Sequence, residues 1–221
     1  MIRDVDVREI SDGRFYRSSD LVRIGTGGCE GCSACCHDMG DSIVLDPYDL
    51  FRFERYGELG FDSLLAGGRI SLSVIDGLVL PCLCMAGPEN ACTFLSEQGR
   101  CSIHAFRPGF CRLFPLGRYY RGDSFSYILQ IHECARMRTK IRIRTWLEEP
   151  ALDDLERFVI DWHRLLRDLQ ALASQAGETT RHSICMKLLA LFYRCKWDLE
   201  EPFFPQFDRL YPQARQSFGL L

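Results

Sequence analysis

The sequence predicts an α+β fold, in which a small Cys-rich domain over residues 1–140 precedes a helical extension over residues 141–221. Ten of the twelve cysteines lie between Cys29 and Cys134, and short apolar segments separated by turn residues lie among them. An apolar stripe with helical spacing begins at Leu152. With 47% hydrophobic and 26% charged residues, the 221-residue chain has the composition of a globular protein rather than a disordered one.

The Cys-rich part is expected to contain short strands or an extended arm, then one helix and two hairpins, at residues 2–24, 47–57, 70–83 and 119–131. Asp46 and Pro47 fit the N-cap and the first position of the helix. Asp76-Gly77 separates the two apolar segments of the first hairpin, and Gly122-Asp123 lies in the turn of the second. These short elements account for the β part of the predicted fold class.

The C-terminal part is expected to fold as two or three antiparallel helices. Apolar residues recur at alternating spacings of three and four from Leu152 to Ala173, which places one stripe along a long helix. A second stripe predicts another helix, capped by Thr179 or Thr180, through Ile184, Leu188, Leu191 and Cys195. A third, weaker helix is predicted after Pro205.

Charge and hydropathy argue against two classes of protein, those that bind nucleic acid and those that span a membrane. The formal net charge of −3 argues against a broad nucleic-acid-binding surface, so nucleic acid is not an expected partner. No apolar run approaches the roughly 18 residues that a membrane helix needs, and the charged start Met1–Asp6 is unlike a signal peptide. We therefore expect a cytoplasmic protein without membrane attachment. In a reducing cytoplasm, twelve cysteines favour metal or redox chemistry over disulfides.

The first cysteine motif is compact. Cys29, Cys32, Cys35 and Cys36 follow the pattern C-x2-C-x2-C-C, and a tight turn at this spacing aims several sulfurs at one point. Four thiolates can close a tetrahedral zinc site, and a C-x2-C-x2-C run is also one arrangement of ligands for an iron–sulfur cluster. The motif therefore favours a metal without choosing between zinc and iron.

Four further cysteines complete the candidate ligand set. Cys92 begins a Cys-Thr-Phe-Leu segment, and Cys101 begins Cys-Ser-Ile-His. Cys111 lies within Arg107–Pro115, and Cys134 follows the second predicted hairpin. The other four cysteines are interpreted instead as packing residues. One pair, Cys82 and Cys84, is expected on one face of a strand, and the other pair, Cys185 and Cys195, on a helix.

At these motifs the sequence resembles the CxxCxxCC cysteine-cluster family, often labelled YkgJ-like, a zinc- or iron-chelating domain. The order of family motifs is CxxCxxCC, CxFL, GxCxIH, RPxxCRxFP and a late Cys, matched at Cys29–Cys36, Cys92–Leu95, Gly99–His104, Arg107–Pro115 and Cys134. The resemblance covers about residues 24–134 and implies a metal-binding domain. A relative with a related cysteine domain, flagellin lysine N-methylase, is expected to carry an iron–sulfur cluster.

Eight thiolates suffice for two four-ligand centres. Successive side chains of an extended chain point to opposite sides, so we expect Cys35 and Cys36 to be divided between two centres. Arg107 and Arg112 are expected to support the thiolates as counter-ions or hydrogen-bond donors, because cations favour the ionised thiol. His37, His104 and the aspartates Asp38, Asp41 and Asp46 are weaker alternatives as ligands.

Two functional classes follow. The first is a metalloprotein whose metal is at least partly structural and which acts through an unknown protein partner. The second is an iron–sulfur oxidoreductase or protein-modifying enzyme, which would need a pocket beside the cysteines, roofed by the C-terminal helices. An all-thiolate site has no open position for substrate, which favours the first class. Basic residues also alternate from Arg136 to Arg144, which predicts a solvated edge strand or, less favoured, a face for an acidic partner.

Overall fold

The computed structural model describes residues 6–25, 32–131, 133–134 and 137–220. In these ranges the fold is α+β, as the sequence predicts. The helices are α1 (Val7–Ile10), α2 (Pro47–Gly57), α3 (Phe61–Ala66), α4 (Gly109–Leu113), α5 (Ile143–Leu147), α6 (Leu152–Gln175), α7 (Glu178–Phe192) and α8 (Phe203–Ser217). The strands are β1 (Leu21–Gly25), β2 (Ile70–Ile75), β3 (Leu78–Leu83), β4 (Met85–Ala86), β5 (Ala91–Cys92), β6 (Leu116–Arg121), β7 (Ser124–Leu129) and β8 (Thr139–Arg142).

The strands described pair in four separate antiparallel ladders: β1–β8, β2–β3, β4–β5 and β6–β7. Both predicted hairpins are confirmed. In the first, Asp76 and Gly77 have φ values of 49° and 85°, the left-handed pair that a tight hairpin turn requires. The second hairpin begins earlier than predicted, because Leu116 already pairs with Leu129.

Helix α2 begins where the sequence predicts. The Asp46 side chain accepts a hydrogen bond from the Asp49 N–H at 2.9 Å, and the Asp49 side chain accepts one from the Asp46 N–H at 3.1 Å. This reciprocal capping box, with Pro47 in the first turn, satisfies backbone donors that would otherwise be orphaned.

The C-terminal helices agree with the prediction in number but differ at their ends. The long helix α6 buries Leu155, Trp162 and Leu169 as expected. The predicted cap of α7 is wrong, because Gly177 holds the N-cap position, and Cys195 lies beyond the last helical residue. Helix α8 starts before Pro205, which its first turn tolerates because the N–H groups there have no intrahelical partner.

The predicted alternating strand over residues 136–144 is confirmed only in its central part, where Lys140 and Arg142 are exposed. Strand β8 spans only Thr139–Arg142, and the chain turns into helix α5 at Ile143, which is fully buried. Arg144 therefore lies on a helix, and Arg136 lies outside the described residues. The arm predicted for residues 2–24 forms the short helix α1 and most of β1, within its described part.

One hydrophobic core joins the C-terminal helices to the Cys-rich part. The Val79 N–H in β3 donates a hydrogen bond to the sulfur of Cys185 in α7 at 3.4 Å. The Tyr193 hydroxyl donates to the Leu45 carbonyl at 3.0 Å. Aromatic rings from α2, α6 and α8 also contact one another, with Tyr48 4.8 Å from Phe204 between ring centroids. Among the described residues, no helix has the length and apolarity to cross a membrane.

Candidate metal centre

Seven of the eight predicted ligands lie within the described residues, and Cys29 does not. Cys35 is exposed and Cys92 is buried, whereas the others are half-buried: Cys32, Cys36, Cys101, Cys111 and Cys134. They occupy loops and very short elements, so their positions depend on contacts between distant segments rather than on one rigid helix or sheet.

The chain around Cys35 and Cys36 is helical rather than extended. Ala34–Cys36 form a 3₁₀ turn, and the Cys36 N–H donates to the Ser33 carbonyl at 2.8 Å. The extended chain on which the expectation of opposite sides rests is therefore wrong, and the argument for two centres loses its geometric basis.

Backbone pairing brings the second cysteine group to the first. His37 bridges Ala91 in β5, and the Asp38 N–H donates to the Asn90 carbonyl at 3.0 Å. Strand β5 ends at Cys92. Beyond it, a bridge between Leu95 and Cys101 folds the loop back. This pairing places Cys92 and Cys101 beside the 3₁₀ turn.

Cys111 is presented by the single turn of helix α4. The Gly109 N–H at the start of this helix donates to the Asp49 carboxylate at 2.7 Å. The next residue after Cys111, Arg112, is buried and forms an ion pair with Glu149 at 2.9 Å. Both ends of the short helix are thus fixed by buried charged groups.

The thiols influence one another electrostatically. A hydrogen bond from Cys36 lowers the pKa of the Cys35 thiol to about 6, and the same bond, with burial, raises the pKa of Cys36. Burial is the main cause of the raised pKa values of Cys92, Cys101 and Cys111, and the charges of nearby cysteines raise them further. A bound cation would offset both effects, since ligating thiols lose their protons. The donor set therefore fits zinc or iron chemically.

Within the described ranges, no three His, Cys, Asp or Glu side chains are arranged so that they could hold a metal ion together. The thiols near the 3₁₀ turn thus share a region without meeting at a common point. Metal binding in this region would require them to move closer to one another.

The two predicted arginines have different surroundings. Arg107 lies near Cys35 and Cys101, and its guanidinium contacts the His104 ring. Its charge contributes to the lowered pKa of Cys35 and opposes the larger effect of burial, which raises the pKa of Cys101. Arg112 instead pairs with Glu149, so its charge is directed to that carboxylate. The counter-ion role stays a prediction for both residues.

The alternative ligands are engaged elsewhere. The two ring nitrogens of His37 lie 3.2 Å from the Glu89 carbonyl and 3.3 Å from the Ser33 hydroxyl. Asp38 accepts a hydrogen bond from the Asn90 side chain at 3.1 Å, and Asp46 caps α2. These contacts hold the loops together and are of the kind expected for structural residues.

Three important residues escaped sequence reasoning. Asp49 anchors α4, Glu149 pairs with Arg112, and the charge of Arg69 acts to lower the pKa of Cys92. Each acts on a partner far away in sequence, so no local pattern could have indicated it. Of the cysteines interpreted as packing residues, Cys82 and Cys185 are buried as predicted. Cys84 lies outside β3.

The short elements and the thiols that share one region are typical of a cysteine-cluster domain. Residues 28–135 match the CxxCxxCC family, described as "Putative zinc- or iron-chelating domain". That stretch is just under half of the chain, and over it the predicted resemblance to this family is confirmed. The match supports metal binding in general. Neither curated proteins nor solved structures gave a significant match to the chain.

Proposed function

We propose that the chain is a cytoplasmic metalloprotein that binds iron, as an iron–sulfur cluster, through up to eight candidate cysteines, with the metal at least partly structural. The observation that carries the proposal is that one region of the fold contains five thiols, those of Cys35, Cys36, Cys92, Cys101 and Cys111. The charges of three of these thiols act on Cys111 from segments up to 76 residues away in the sequence. A group of thiols from distant segments is typical of a metal site rather than of core packing.

A structural role for the metal is supported by the shortness of the elements around the cysteines, which few other interactions stabilise. Strands β4 and β5 have two residues each, and α4 has five. Elements of this length are marginal on their own, because they make few backbone hydrogen bonds for the chain entropy that they fix. Bonds from one metal centre to several of these segments would stabilise all of them together.

Iron is favoured over zinc by the C-x2-C-x2-C spacing, although the same thiols suit both metals. Anaerobic purification followed by metal analysis, acid-labile sulfide assay and an absorption spectrum tests the choice. Iron with sulfide and visible charge-transfer bands is the expected result. A colourless protein that retains zinc after expression with added iron would overturn the cluster and leave a zinc scaffold.

A matched pair of variants tests the ligand set. Cys111 and Cys195 are both half-buried, but only Cys111 lies among the converging thiols. Cys111→Ala is expected to lower the metal content of the purified protein, whereas Cys195→Ala leaves it unchanged. Equal metal content in the two variants would remove Cys111 from the proposed site.

One observation favours the second functional class, an iron–sulfur oxidoreductase or protein-modifying enzyme. Cys35 is exposed, so one side of the thiol group is accessible to a partner or substrate. Under the structural proposal the same exposed side would meet a protein partner. Turnover of a redox dye by the metal-loaded protein, lost in Cys111→Ala, would favour the enzyme.

A further inference from the structure

A cavity of 1020 Å³ lies beside helix α4. The β6–β7 hairpin forms one wall and the long helix α6 another, and the segment around α1 contributes to its rim. Phe110 and Leu113 of α4 line the cavity, whereas Cys111 between them is not part of its lining. The volume is at the upper end of the range of about 300–1000 Å³ for pockets that hold small organic ligands.

The charged groups around this cavity are mostly cationic. Its lining includes four arginines and two aspartates: Arg8, Arg118, Arg121, Arg167, Asp6 and Asp46. Arg118 lines the cavity and is half-buried, and its guanidinium lies 5.7 Å from the centroid of the Phe125 ring. A guanidinium that is partly removed from water would gain from an anionic acceptor in the cavity.

The titratable side chains near Arg118 do not fully neutralise the positive charge of the cavity wall. Burial and the nearby Asp49 raise the pKa of Asp46 to about 7, so this carboxyl is partly protonated at neutral pH. His163 stacks on Tyr120 with ring centroids 3.8 Å apart, and burial lowers its pKa to about 4, so it is neutral. The wall is therefore positively charged overall.

Flat apolar surface lies next to these cations. Phe15 and Tyr119 have ring centroids 5.2 Å apart, and the Arg121 guanidinium lies 4.1 Å from the centroid of Phe15. Trp162 and Leu166 face the cavity from α6. Aromatic rings and stacked arginines together suit a planar molecule that carries negative charge.

We propose that this cavity binds a small aromatic organic anion, such as an aromatic carboxylate or a phosphate monoester. Its acidic group pairs with Arg118, and its ring lies against the apolar part of the cavity lining, which includes Trp162. The proposal uses none of the eight candidate cysteines, so it stands or falls independently of the metal.

The test uses the full-length protein as purified and the fluorescent probe 1-anilinonaphthalene-8-sulfonate, an aromatic anion. Saturable binding is expected. Phenyl phosphate should displace the probe, whereas the uncharged benzyl alcohol at the same concentration should not. Absence of saturable binding, or equal displacement by the charged and uncharged competitors, would overturn the proposal.

Two pairs of variants locate the binding. Arg118→Met is expected to weaken binding about tenfold, the loss of one charge-assisted contact, whereas Arg209→Met, at an exposed ion pair on α8, leaves it unchanged. Gln170→Trp fills the α6 side of the cavity and should block binding. Leu172→Trp, two residues further along the same helix and 37% exposed, should not.

Circular dichroism and thermal unfolding confirm that each variant is folded, because loosely folded chains also bind this probe. If neither cavity variant changes the affinity of a well-folded protein, the probe binds elsewhere and the proposal fails. If Gln170→Trp blocks binding but Arg118→Met does not, the cavity holds the ring without recognising the charge, and the anionic part of the proposal is wrong.

Discussion

The carboxylate of Asp49 accepts a hydrogen bond of 2.7 Å from the N–H of Gly109, 60 residues further along the chain. The same carboxylate closes the capping box of α2 by accepting the Asp46 N–H. One buried side chain therefore fixes the first turn of two helices, and the second of these helices carries Cys111. The placement of a candidate metal ligand thus depends on a residue that is not itself a ligand.

Asp49→Ala is expected to destabilise the fold by about 2–3 kcal/mol, because the N–H groups of Asp46 and Gly109 both lose their acceptor. Urea unfolding followed by circular dichroism measures the change. Asp62→Ala, at an exposed ion pair with Arg194, serves as the control and should have little effect. Similar decreases in the free energy of unfolding for both variants would show that the Asp49–Gly109 contact stabilises the fold no more than an exposed ion pair does.

Glu149 joins α4 to α2, because its carboxylate pairs with Arg112 at 2.9 Å and Arg52 at 3.5 Å and accepts the Tyr48 hydroxyl at 3.1 Å. Glu149→Gln leaves two buried guanidinium groups without their shared counter-charge, and we expect a loss of about 3 kcal/mol. Chemical denaturation tests this expectation, with Glu201→Gln at the exposed partner of Arg209 as the control. An unchanged midpoint for Glu149→Gln would contradict it.

Asp46 is expected to make stability fall as pH rises. Its folded-state pKa of about 7 lies above the value of about 3.9 for an unfolded chain, so the folded protein binds the proton more tightly. The contribution of the protonated carboxyl is complete below about pH 4 and is lost between there and about pH 7.

Asp46→Asn isolates this effect, since asparagine is an equally good N-cap. At about pH 7.5 the variant should be more stable than the wild type by at least about 1.4 kcal/mol, the equivalent of one pKa unit. At about pH 4 the two proteins should converge. Unfolding midpoints that differ by the same amount at both pH values would exclude a titrating Asp46 as the cause.

Metal removal is expected to lower the melting temperature of the protein. If the metal contributes about 3 kcal/mol, the midpoint of a chain of this size should fall by about 6–12 °C. Treatment with a chelator and the substitution Cys32→Ala should have similar effects, which scanning calorimetry would measure. An unchanged midpoint with full secondary structure after complete metal removal would show that the metal is not structural.

Local signals in the sequence predicted the elements that depend only on local chemistry. The Asp46-Pro47 start of α2, the Asp76-Gly77 turn and the apolar stripe of α6 each specify backbone geometry within a few residues. The eight cysteines were identifiable for a similar reason, because their motifs are short and ordered. The family match over residues 28–135 is consistent with this.

The features that escaped prediction depend on distant partners. Whether Cys35 and Cys36 lie on a strand or a 3₁₀ turn is decided by packing against β5, which no pattern around them records. The contact between Asp49 and Gly109 is equally non-local. Strand β8 ends early because Ile143 is needed in the core, and alternating charges alone could not show this.

The pairing of β1 with β8 also bears on how the thiols find a metal during folding. Val22 lies opposite Ile141, and Gly25 lies opposite Thr139 so closely that a Cβ at Gly25 would be only 2.2 Å from the threonine hydroxyl. Once β1 and β8 have paired, the long loop between them is already closed, and its closure costs no further conformational entropy. All eight cysteines lie within that loop, so their effective concentration toward one another is high before any metal arrives. The cysteines can then bind the metal in any order. Weakening the β1–β8 pairing at Gly25 should slow the formation of the metal site more than it lowers the stability of the site once formed.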